Sequence, residues 1–356
     1  MTRTVDAYYK SYQHLHAGDY ATGFRLFEHR WSPAVIATLP EPFEKLTPQP
    51  AWAGQSLLGK SITVQMEMGY GDCIQFARFI PLLKVLGAKC VTVLQTRSLH
   101  NLFAPMECID YLTNDEKSAV AAETDYWLGS MSLAALALHA PAYARTLFPI
   151  TASKIVGSEG YLTAEPSSIK PGVGVNWSAS NGALHQIKST TSDTIQHLVP
   201  DAYSLNPDTD ADFVPLPDDG WKQDWSLTAR HMRAMTAVVT VDTGTAHLAG
   251  ALGVPCIVLL PDQEHVCWRW KNACWYDSVV TLPRDEWSRV PELLLELARP
   301  PVQVDAEQPA CVFANPAPVK KPPAFGLPRP QNTAVVTLAG IVPRATALKL
   351  VLPVQT

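Results

Sequence analysis

The sequence predicts an α/β fold built from two halves, each a parallel β-sheet covered by helices. Short apolar segments alternate with helical patterns over residues 61–138, and a second such series follows over residues 173–298. This alternation is typical of parallel sheets with helices on both faces. A linker signal rich in Pro, Ser and Gly separates the two series at 165–172. The chain of 356 residues is also long enough for two domains.

A helical hairpin is predicted before the first sheet. Aromatic and aliphatic side chains recur at helical spacing over 5–17 and 19–31, and Gly18 with Asp19 marks the turn between them. The pattern resembles one tetratricopeptide unit. Because arrays of such units need about three repeats to be stable, we interpret the hairpin as a cap on the next domain. Residues 32–60, rich in Pro, Trp and Gly, are predicted to be a linker.

Each half is expected to contain strands followed by helices. In the first half the expected strands cover 62–66, 90–94, 109–112 and 125–128, and the expected helices cover 72–86, 98–103 and 132–138. In the second half the expected strands cover 173–176, 203–205, 212–214, 237–241, 256–260 and 279–282, and the expected helices cover 194–199, 226–235, 243–252 and 284–298. Ser226 is the expected N-cap of its helix. Because open α/β sheets bind ligands at the carboxyl ends of their strands, we expect a site in the cleft between the halves.

The composition changes after Arg299. Nine prolines between residues 300 and 330 predict an extended or disordered tail. The segments 333–338 and 345–352 are β-prone and could form a hairpin or an edge strand on a partner, which would allow homo-oligomers through the tail. The predicted domains are a helical cap at 1–35, α/β domains at 36–165 and 166–299, and the tail at 300–356.

Composition and charge narrow the classes of function. The formal net charge of −5 argues against a broad nucleic-acid surface. The seven cysteines are odd in number and include no CxxC pair, which favours reduced thiols and a cytoplasmic location. No apolar signal-peptide core follows Met1, and the longest apolar run, 248–260, is too short to span a membrane. We therefore expect a soluble, cytoplasmic protein.

The first candidate site is a glycine-bearing loop between the strand at 62–66 and the helix that Asp72 is expected to begin. Its sequence from Glu67 to Arg78 is EMGYGDCIQFAR. Glycines such as Gly71 allow the backbone to approach a ligand closely. Asp72 is interpreted either as an N-cap or as a functional carboxylate. The motif is not GxGxxG, so it does not support a dinucleotide site.

Three polar side chains surround this aspartate in the sequence. Gln75 and Arg78 lie one helical turn or more beyond Asp72, where they could orient its carboxylate, contact an acceptor or take part in packing. Glu67, at the end of the first strand, is a candidate for binding a sugar hydroxyl. We treat these residues as acceptor-binding or orienting candidates.

The second candidate site is the strand-to-helix junction that begins at Asp242. The N–H groups of Thr243, Gly244 and Thr245 would face an anion, which the helix dipole favours. His247, one turn into the helix, could donate to the same anion or be a satisfied core residue. Asp242 is expected to orient the loop or to accept a hydrogen bond from a hydroxyl group, rather than to act as a base.

Together these motifs resemble those of heptosyltransferase-like glycosyltransferases of family 9 type that occur with tetratricopeptide repeats. The resemblance rests on EMGYGDCIQFARFIPLL at 67–83, VDTGTAHLAGALGVPCIVLLP at 241–261, FEHRW at 27–31, PAWAG at 50–54, WRW at 268–270 and WY at 275–276. It covers about residues 5–298, with roughly 170 residues between the two main motifs. The late aromatic group is interpreted as domain packing in preference to a sugar-binding surface: Trp268, Trp270, Trp275 and Tyr276.

The resemblance implies a GT-B fold, in which two Rossmann-like domains face each other. It also implies an inverting transfer of a sugar from a nucleotide-diphosphate sugar, with no metal and no other cofactor. Asp72 matches the carboxylate that deprotonates the acceptor hydroxyl. Near a helix N-terminus such a carboxylate stays ionised. The residues that match the family's diphosphate cradle are Thr243, Gly244, Thr245 and His247.

The loop at 177–190 follows the first strand of the second half. In the family this loop carries a basic residue near the donor phosphates, and Lys188 is the best match, although the usual neighbouring Asn, Asp and Arg residues are not reproduced. Ser178 could also reach the phosphates. The D-x-D sequence at 208–210 has the composition of a turn, which agrees with a mechanism that uses no metal.

Two other functions stay open at this point. The chain could be a catalytically degenerate GT-B scaffold that acts as a binding or interaction protein, or a GT-B sugar-nucleotide epimerase. The nucleotide base and the sugar of the donor are not determined. The acceptor hydroxyl could belong to a glycan, a lipid, a protein side chain or a modified nucleic acid.

Overall fold

Two parallel β-sheets organise residues Met1–Val304, and Asp305–Thr356 form a separate unit. The computed structural model describes residues 3–39, 44–114, 123–139, 150–151, 154–155, 160–179, 185–207, 213–271, 275–297, 332–337 and 349–354. Within these ranges, none of the helices combines the length and the apolar composition needed to cross a membrane. The predicted domain boundaries stay predictions.

The first sheet contains four parallel strands in the order β3-β2-β1-β4. These are β1 (Ser61–Gln65), β2 (Cys90–Leu94), β3 (Tyr111–Thr113) and β4 (Tyr126–Gly129). The central strand β1 pairs with β2 through Ile62 opposite Val91, and both side chains are fully buried. Parallel strands buried on both faces are nearly continuous apolar runs, which is why the sequence places β1 and β2 within one residue, whereas the less buried β3 begins two residues later than expected.

Short helices cover this first sheet. They are α4 (Tyr70–Ala77), α5 (Pro81–Val85), α6 (His100–Phe103) and α7 (Ser132–His139), numbered after three N-terminal helices that are described below. The sequence predicts one helix over 72–86, and this is wrong in its length. The helix breaks after Ala77, and α5 restarts with Pro81 in its first turn, because proline has no N–H for an interior helical hydrogen bond.

The second sheet contains five parallel strands in the order β11-β10-β9-β7-β8. They are β7 (Val173–Asn176), β8 (Tyr203–Ser204), β9 (Ala237–Val241), β10 (Cys256–Leu259) and β11 (Val279–Leu282), after a small antiparallel pair, β5 (Ile150–Thr151) and β6 (Lys154–Ile155). Every residue of β9 and β10 is buried. The strand expected at 212–214 is reduced in the described residues to a single bridge between Tyr203 and Val214.

Six helices accompany the second sheet in the described residues. They are α8 (His185–Lys188), α9 (Ser192–Leu198), α10 (Trp225–Ala234), α11 (Gly244–Leu252), α12 (Trp268–Lys271) and α13 (Val290–Leu297). The N-cap expected at Ser226 is wrong. Asp224 caps α10, since its carboxylate accepts a hydrogen bond from the Ser226 N–H at 2.8 Å. An aspartate accepts this bond at the N-cap as readily as a serine does.

The N-terminal helices contact both halves of the main unit. They are α1 (Arg3–His16), α2 (Tyr20–Phe27) and α3 (Pro33–Ile36), with a 3-10 turn over Glu28–Trp31. Asp19 caps α2 at the expected turn. Phe24 lies 5.9 Å from Phe76 of α4 and 5.7 Å from Trp268 of α12, ring centre to ring centre. The two helices therefore share their core with both sheets, and their likeness to a tetratricopeptide unit stays a prediction.

The C-terminal unit contains one described antiparallel pair. Strand β12 (Asn332–Thr337) pairs with β13 (Lys349–Val354), with Asn332 opposite Val354. The β-prone segments of the tail thus form a hairpin with each other. The proline-rich part of 300–330 and the D-x-D sequence at 208–210 lie outside the described residues. Self-association through the tail stays a prediction.

Candidate functional site

Two helix N-termini face each other where the carboxyl ends of the two sheets meet. The loop after β1 leads into α4, and the loop after β9 leads into α11. The two helices touch at glycines: a Cβ added to Gly71 would lie 3.2 Å from the Gly244 Cα and 2.8 Å from His247 Cδ2. The predicted residues of both motifs are therefore brought together at one junction.

Asp72 lies in the first turn of α4, but it is not the N-cap. Gly69 is the N-cap, and the Asp72 carboxylate accepts a hydrogen bond from the Gly69 N–H at 3.3 Å. Its other oxygen forms an ion pair with Arg269 of α12, across the junction. The Asp72 side chain keeps 19% of its surface exposed. It is thus held from both sides and still reachable from solvent.

Gln75 and Arg78 take different roles on α4. Gln75 is fully buried, and its side-chain oxygen accepts a hydrogen bond from Arg269 Nε at 2.8 Å. Arg78 donates to the Trp275 carbonyl at 2.6 Å, and its guanidinium lies 4.5 Å from the centre of the Tyr276 ring. Gln75 therefore orients Arg269, whereas Arg78 packs the two halves together.

Glu67 is buried in an ionic cluster with the N-terminal helices. Arg30 donates to its two oxygens at 2.8 and 3.0 Å, and the Met131 N–H donates at 3.0 Å. Glu28 adds a second carboxylate at 2.7 Å from Arg30. These contacts fix the loop that leads to Asp72. Binding of a sugar hydroxyl by Glu67 stays a prediction.

The start of α11 is built from hydroxyl and amide groups. Thr243 is the N-cap, and its hydroxyl accepts a hydrogen bond from the Thr245 N–H at 3.3 Å. Asn176, at the end of β7, donates to the Thr245 hydroxyl at 2.9 Å. The Trp225 ring closes over Gly244, since a Cβ there would lie 2.8 Å from the ring. These bonds fix a helix start whose first N–H groups face the junction.

Lys188 and Asp242 form an ion pair beside this helix start. Lys188 Nζ lies 2.7 Å from Asp242 Oδ2, and Trp270 Nε1 donates to Asp242 Oδ1 at 2.7 Å. Burial raises the pKa of Asp242, but the Lys188 charge and the Trp270 hydrogen bond outweigh it and hold that pKa below its ordinary value. Asp242 is thus an ionised anchor for Lys188, and its expected role in orienting the loop or accepting from a hydroxyl group stays a prediction.

His247 is buried within the aromatic group. Its Nδ1 lies 2.8 Å from the Tyr276 hydroxyl, and its ring stacks on Trp270 with the ring centres 4.9 Å apart. Burial, together with the nearby Arg269 charge, lowers its pKa to about 3, so the ring is neutral at pH 7. When the Tyr276 hydroxyl donates to Nδ1, the ring proton is on Nε2, which can donate to an anion.

Ser178 is connected to the start of α11 through Asn176, which also donates to the Thr245 hydroxyl. Its hydroxyl donates to the Ala179 carbonyl at 3.2 Å, and its N–H donates to the Asn176 side chain at 3.0 Å. Residues 180–184 of the same loop lie outside the described residues. The predicted contact of Ser178 with phosphates stays a prediction.

The late aromatic residues pack the halves together, which confirms that interpretation. All four are buried, with exposed fractions between 1% and 6%: Trp268, Trp270, Trp275 and Tyr276. Among the described residues there is no cluster of three or more His, Cys, Asp or Glu side chains that could hold a metal ion. The described part of the junction therefore offers cations and amide donors as its anion-binding groups.

Sequence reasoning misses Arg269, Asn176 and Arg30. Arg269 belongs to the quoted WRW motif, which follows β10 and its loop, but nothing local in the sequence shows that it pairs with Asp72. Asn176 ends β7, and polar residues at the carboxyl end of a parallel strand are a general signal for a site. Arg30 leaves no local signal, since its partner Glu67 is 37 positions away.

Known proteins resemble this chain in overall structure at low sequence identity. No protein-family model matches the sequence, and no curated protein matches it significantly. Family 9 glycosyl transferase from Veillonella parvula is 14% identical, with a TM-score of 0.44 over 69% of this chain and 92% of that one. Escherichia coli ADP-heptose lipopolysaccharide heptosyltransferase II is 13% identical, with a TM-score of 0.45 over 67% and 98%. The dodecameric iron-containing heptosyltransferase TibC, in complex with ADP-D-β-D-heptose, is 11% identical, with a TM-score of 0.44 over 63% of each chain.

Proposed function

We propose that this chain is a heptosyltransferase-like GT-B glycosyltransferase. It would move a sugar from a nucleotide-diphosphate sugar to an acceptor hydroxyl, with inversion and without a metal. One observation carries the proposal: Asp72 at one helix start faces the start of α11, with Lys188 beside it. A carboxylate opposite an anion-binding helix start provides a base and a leaving-group site in one cleft.

The α11 start would hold the diphosphate of the donor. The positive end of the helix dipole favours an anion there, beside the Gly244 N–H, whereas the Thr245 and Ala246 N–H groups already donate to Thr243. Lys188 adds a charge at the same edge of the sheet, with 19% of its side chain exposed. Neutral His247 adds a donor through Nε2. These groups would stabilise the negative charge that grows on the nucleoside diphosphate as it leaves.

Asp72 would act as the base. The acceptor oxygen attacks the anomeric carbon of the donor, the bond from that carbon to the diphosphate oxygen breaks, and the acceptor proton passes to the Asp72 carboxylate. A single displacement of this kind inverts the anomeric centre. A positioned general base contributes about 10²- to 10⁴-fold to the rate.

A second candidate is a catalytically degenerate scaffold that binds a partner. The observation that favours it is the direct contact between Gly71 and Gly244, which leaves no room for a diphosphate between the two helix starts. A transferase requires these helix starts to separate when the donor binds. The two functions therefore differ in whether the chain binds a nucleotide-diphosphate sugar and releases the nucleoside diphosphate from it.

The Asp72→Asn variant tests the transferase. Wild-type protein is incubated with a panel of nucleotide sugars and with glycan, lipid and protein acceptors in the presence of EDTA, and nucleoside diphosphate release is measured. We expect release by the wild type and a loss of at least about 100-fold in Asp72→Asn. Asp262→Asn is the control, since Asp262 is an exposed carboxylate that also pairs with an arginine, Arg284. Equal turnover by Asp72→Asn and wild type would remove Asp72 as the base.

A further inference from the structure

Arg269 connects the two halves at the proposed site. It comes from α12 of the second half, and its guanidinium contacts two side chains of α4 in the first half, Asp72 and Gln75. On its own side it lies 4.4 Å from the centre of the Trp268 ring. Only 12% of its side chain is exposed. The guanidinium is therefore held between the proposed base on α4 and the Trp268 ring on α12.

Two ion pairs lie at this junction, and Arg78 donates to the Trp275 carbonyl beside them. Arg269 pairs with Asp72, and Lys188 pairs with Asp242. Trp270, the residue after Arg269, donates to Asp242, so the two pairs are linked through α12. A donor diphosphate adds negative charge beside two carboxylates. It is bound well only if a cation gives up a carboxylate partner for the phosphates.

Arg269 is the cation suited to such an exchange. Its planar guanidinium binds phosphate as well as carboxylate with two parallel hydrogen bonds, whereas lysine acts as a point charge. Gln75 supports it by accepting from Nε, so the nitrogen that now contacts Asp72 can turn to the anion, while the other outer nitrogen donates to Cys267 Sγ at 3.3 Å. Gln75 is fully buried, and its Nε2 has no hydrogen-bond partner among the described residues. An unpaired buried donor beside the guanidinium indicates that an acceptor group belongs there.

We propose that Arg269 is a donor-binding residue that exchanges the Asp72 carboxylate for the diphosphate of the nucleotide sugar. This inference rests on the proposed transferase function. Before donor binding, Arg269 forms an ion pair with the Asp72 carboxylate and holds α4 against α12. Donor binding moves the guanidinium to the phosphates and releases Asp72 to accept the acceptor proton. The donor therefore binds before the base is free.

A double-mutant cycle on nucleoside diphosphate affinity tests the exchange. The dissociation constants of ADP, GDP, UDP, CDP and dTDP are measured by calorimetry for wild type, Asp72→Asn, Arg269→Gln and the double variant. We expect Arg269→Gln to weaken binding about 10-fold or more. Asp72→Asn is expected to tighten it about 5-fold in the wild-type background, since no carboxylate then competes for the guanidinium. In the Arg269→Gln background the same change should alter affinity less than about 2-fold.

Controls separate this exchange from a structural effect. Arg284→Gln removes an arginine that also pairs with an aspartate and lies over a tryptophan ring, Trp287, and it should bind as wild type. If Arg269→Gln fails to fold, Arg269→Lys takes its place in the cycle, because lysine keeps the positive charge but cannot form the bidentate hydrogen bonds of a guanidinium.

The outcomes also separate this inference from the proposed function. If the wild type binds a nucleoside diphosphate and Asp72→Asn has the same effect in both backgrounds, the exchange is overturned and the transferase stands. A weaker affinity of Asp72→Asn than of wild type would also overturn the exchange. If the wild type binds none of the five nucleotides, the proposed function fails, and the exchange fails with it.

Discussion

Gly71 shows how closely single residues are fitted at the junction. A Cβ there would lie 2.8 Å from His247 and 3.2 Å from the Gly244 backbone, and the His247 ring is stacked on Trp270. Helix propensity alone favours alanine over glycine by about 1 kcal/mol. Overpacking costs about 1–3 kcal/mol. The two effects oppose each other, and the steric one is larger.

We therefore predict that Gly71→Ala lowers the free energy of unfolding by about 1–2 kcal/mol. Denaturant unfolding measures it. Gly69→Ala is the matched control two residues away, because a Cβ at Gly69 would meet only the Asp72 carboxylate at an ordinary 3.6 Å. A Gly71→Ala variant as stable as wild type would show that the two helix starts are not in contact.

His247 makes the free energy of unfolding depend on pH. Its pKa in the folded protein is lowered to about 3 by burial and by the Arg269 charge, against about 6.5 in the unfolded chain. As the pH falls below 6.5, the unfolded state takes up a proton and the folded state does not, so acid destabilises the fold. This contribution amounts to about 1.4 kcal/mol per pH unit.

We predict that His247→Asn lacks this acid sensitivity. The stability advantage of wild type over the variant should shrink by about 1.4 kcal/mol for each pH unit between 6.5 and about 4. Unfolding by urea at pH 7, 6, 5 and 4.5 measures the difference. His197→Asn, a change in an exposed histidine of α9, should follow the wild type. Parallel pH profiles for wild type and His247→Asn would mean that His247 has the same pKa in the folded and unfolded states, which would contradict its lowered pKa.

At the scale of elements, the N-terminal helices are attached to the site by a buried charge. Arg30 is fully buried and donates to Glu67, two residues beyond the end of β1, and to Glu28. Removing one partner of a buried ion pair leaves the other charge unpaired, which costs about 3–5 kcal/mol. The 3-10 turn Glu28–Trp31 thus supports the loop that carries Asp72.

We predict that Arg30→Gln destabilises the protein by about 3–5 kcal/mol. Chemical denaturation measures the loss. Arg25→Gln, an exposed arginine of the same helical pair, is the control and should change stability by less than about 0.5 kcal/mol. An Arg30→Gln variant within 1 kcal/mol of wild type would contradict this role for the cluster.

The elements are more predictable from the sequence than the contacts between them. Strands β1, β2, β9 and β10 lie within one residue of their predicted bounds, because buried parallel strands are continuous apolar runs. The α11 start also lies within one residue of its predicted bound, since a hydroxyl-rich helix start is a local pattern, whereas the role of Lys188 stays a prediction. The Asp72–Arg269 pair joins residues 197 positions apart. No local pattern specifies such a contact, because it depends on how the two halves meet.

At the scale of the whole main unit, the two sheets meet through α4 and α11 and through the aromatic residues of the second half. Arg78 and the Asp72–Arg269 pair cross this boundary in the described residues. On the proposed function, a donor would have to separate the helix starts and replace the charge balance that these contacts provide. The contacts that stabilise the closed arrangement would then set how strongly a nucleotide has to bind.

The central claim is that the α11 start, with Lys188, holds a nucleoside diphosphate. Calorimetric titration of wild type, Lys188→Gln and Lys60→Gln with the five nucleoside diphosphates, in EDTA, tests it most directly. Lys60 is the control, because it also pairs with an aspartate, Asp125, at 2.9 Å but lies at the opposite end of β1. We predict that one nucleotide binds wild type and Lys60→Gln equally and Lys188→Gln at least about 10-fold more weakly. Equal binding by all three proteins, or no binding by any, would contradict the claim.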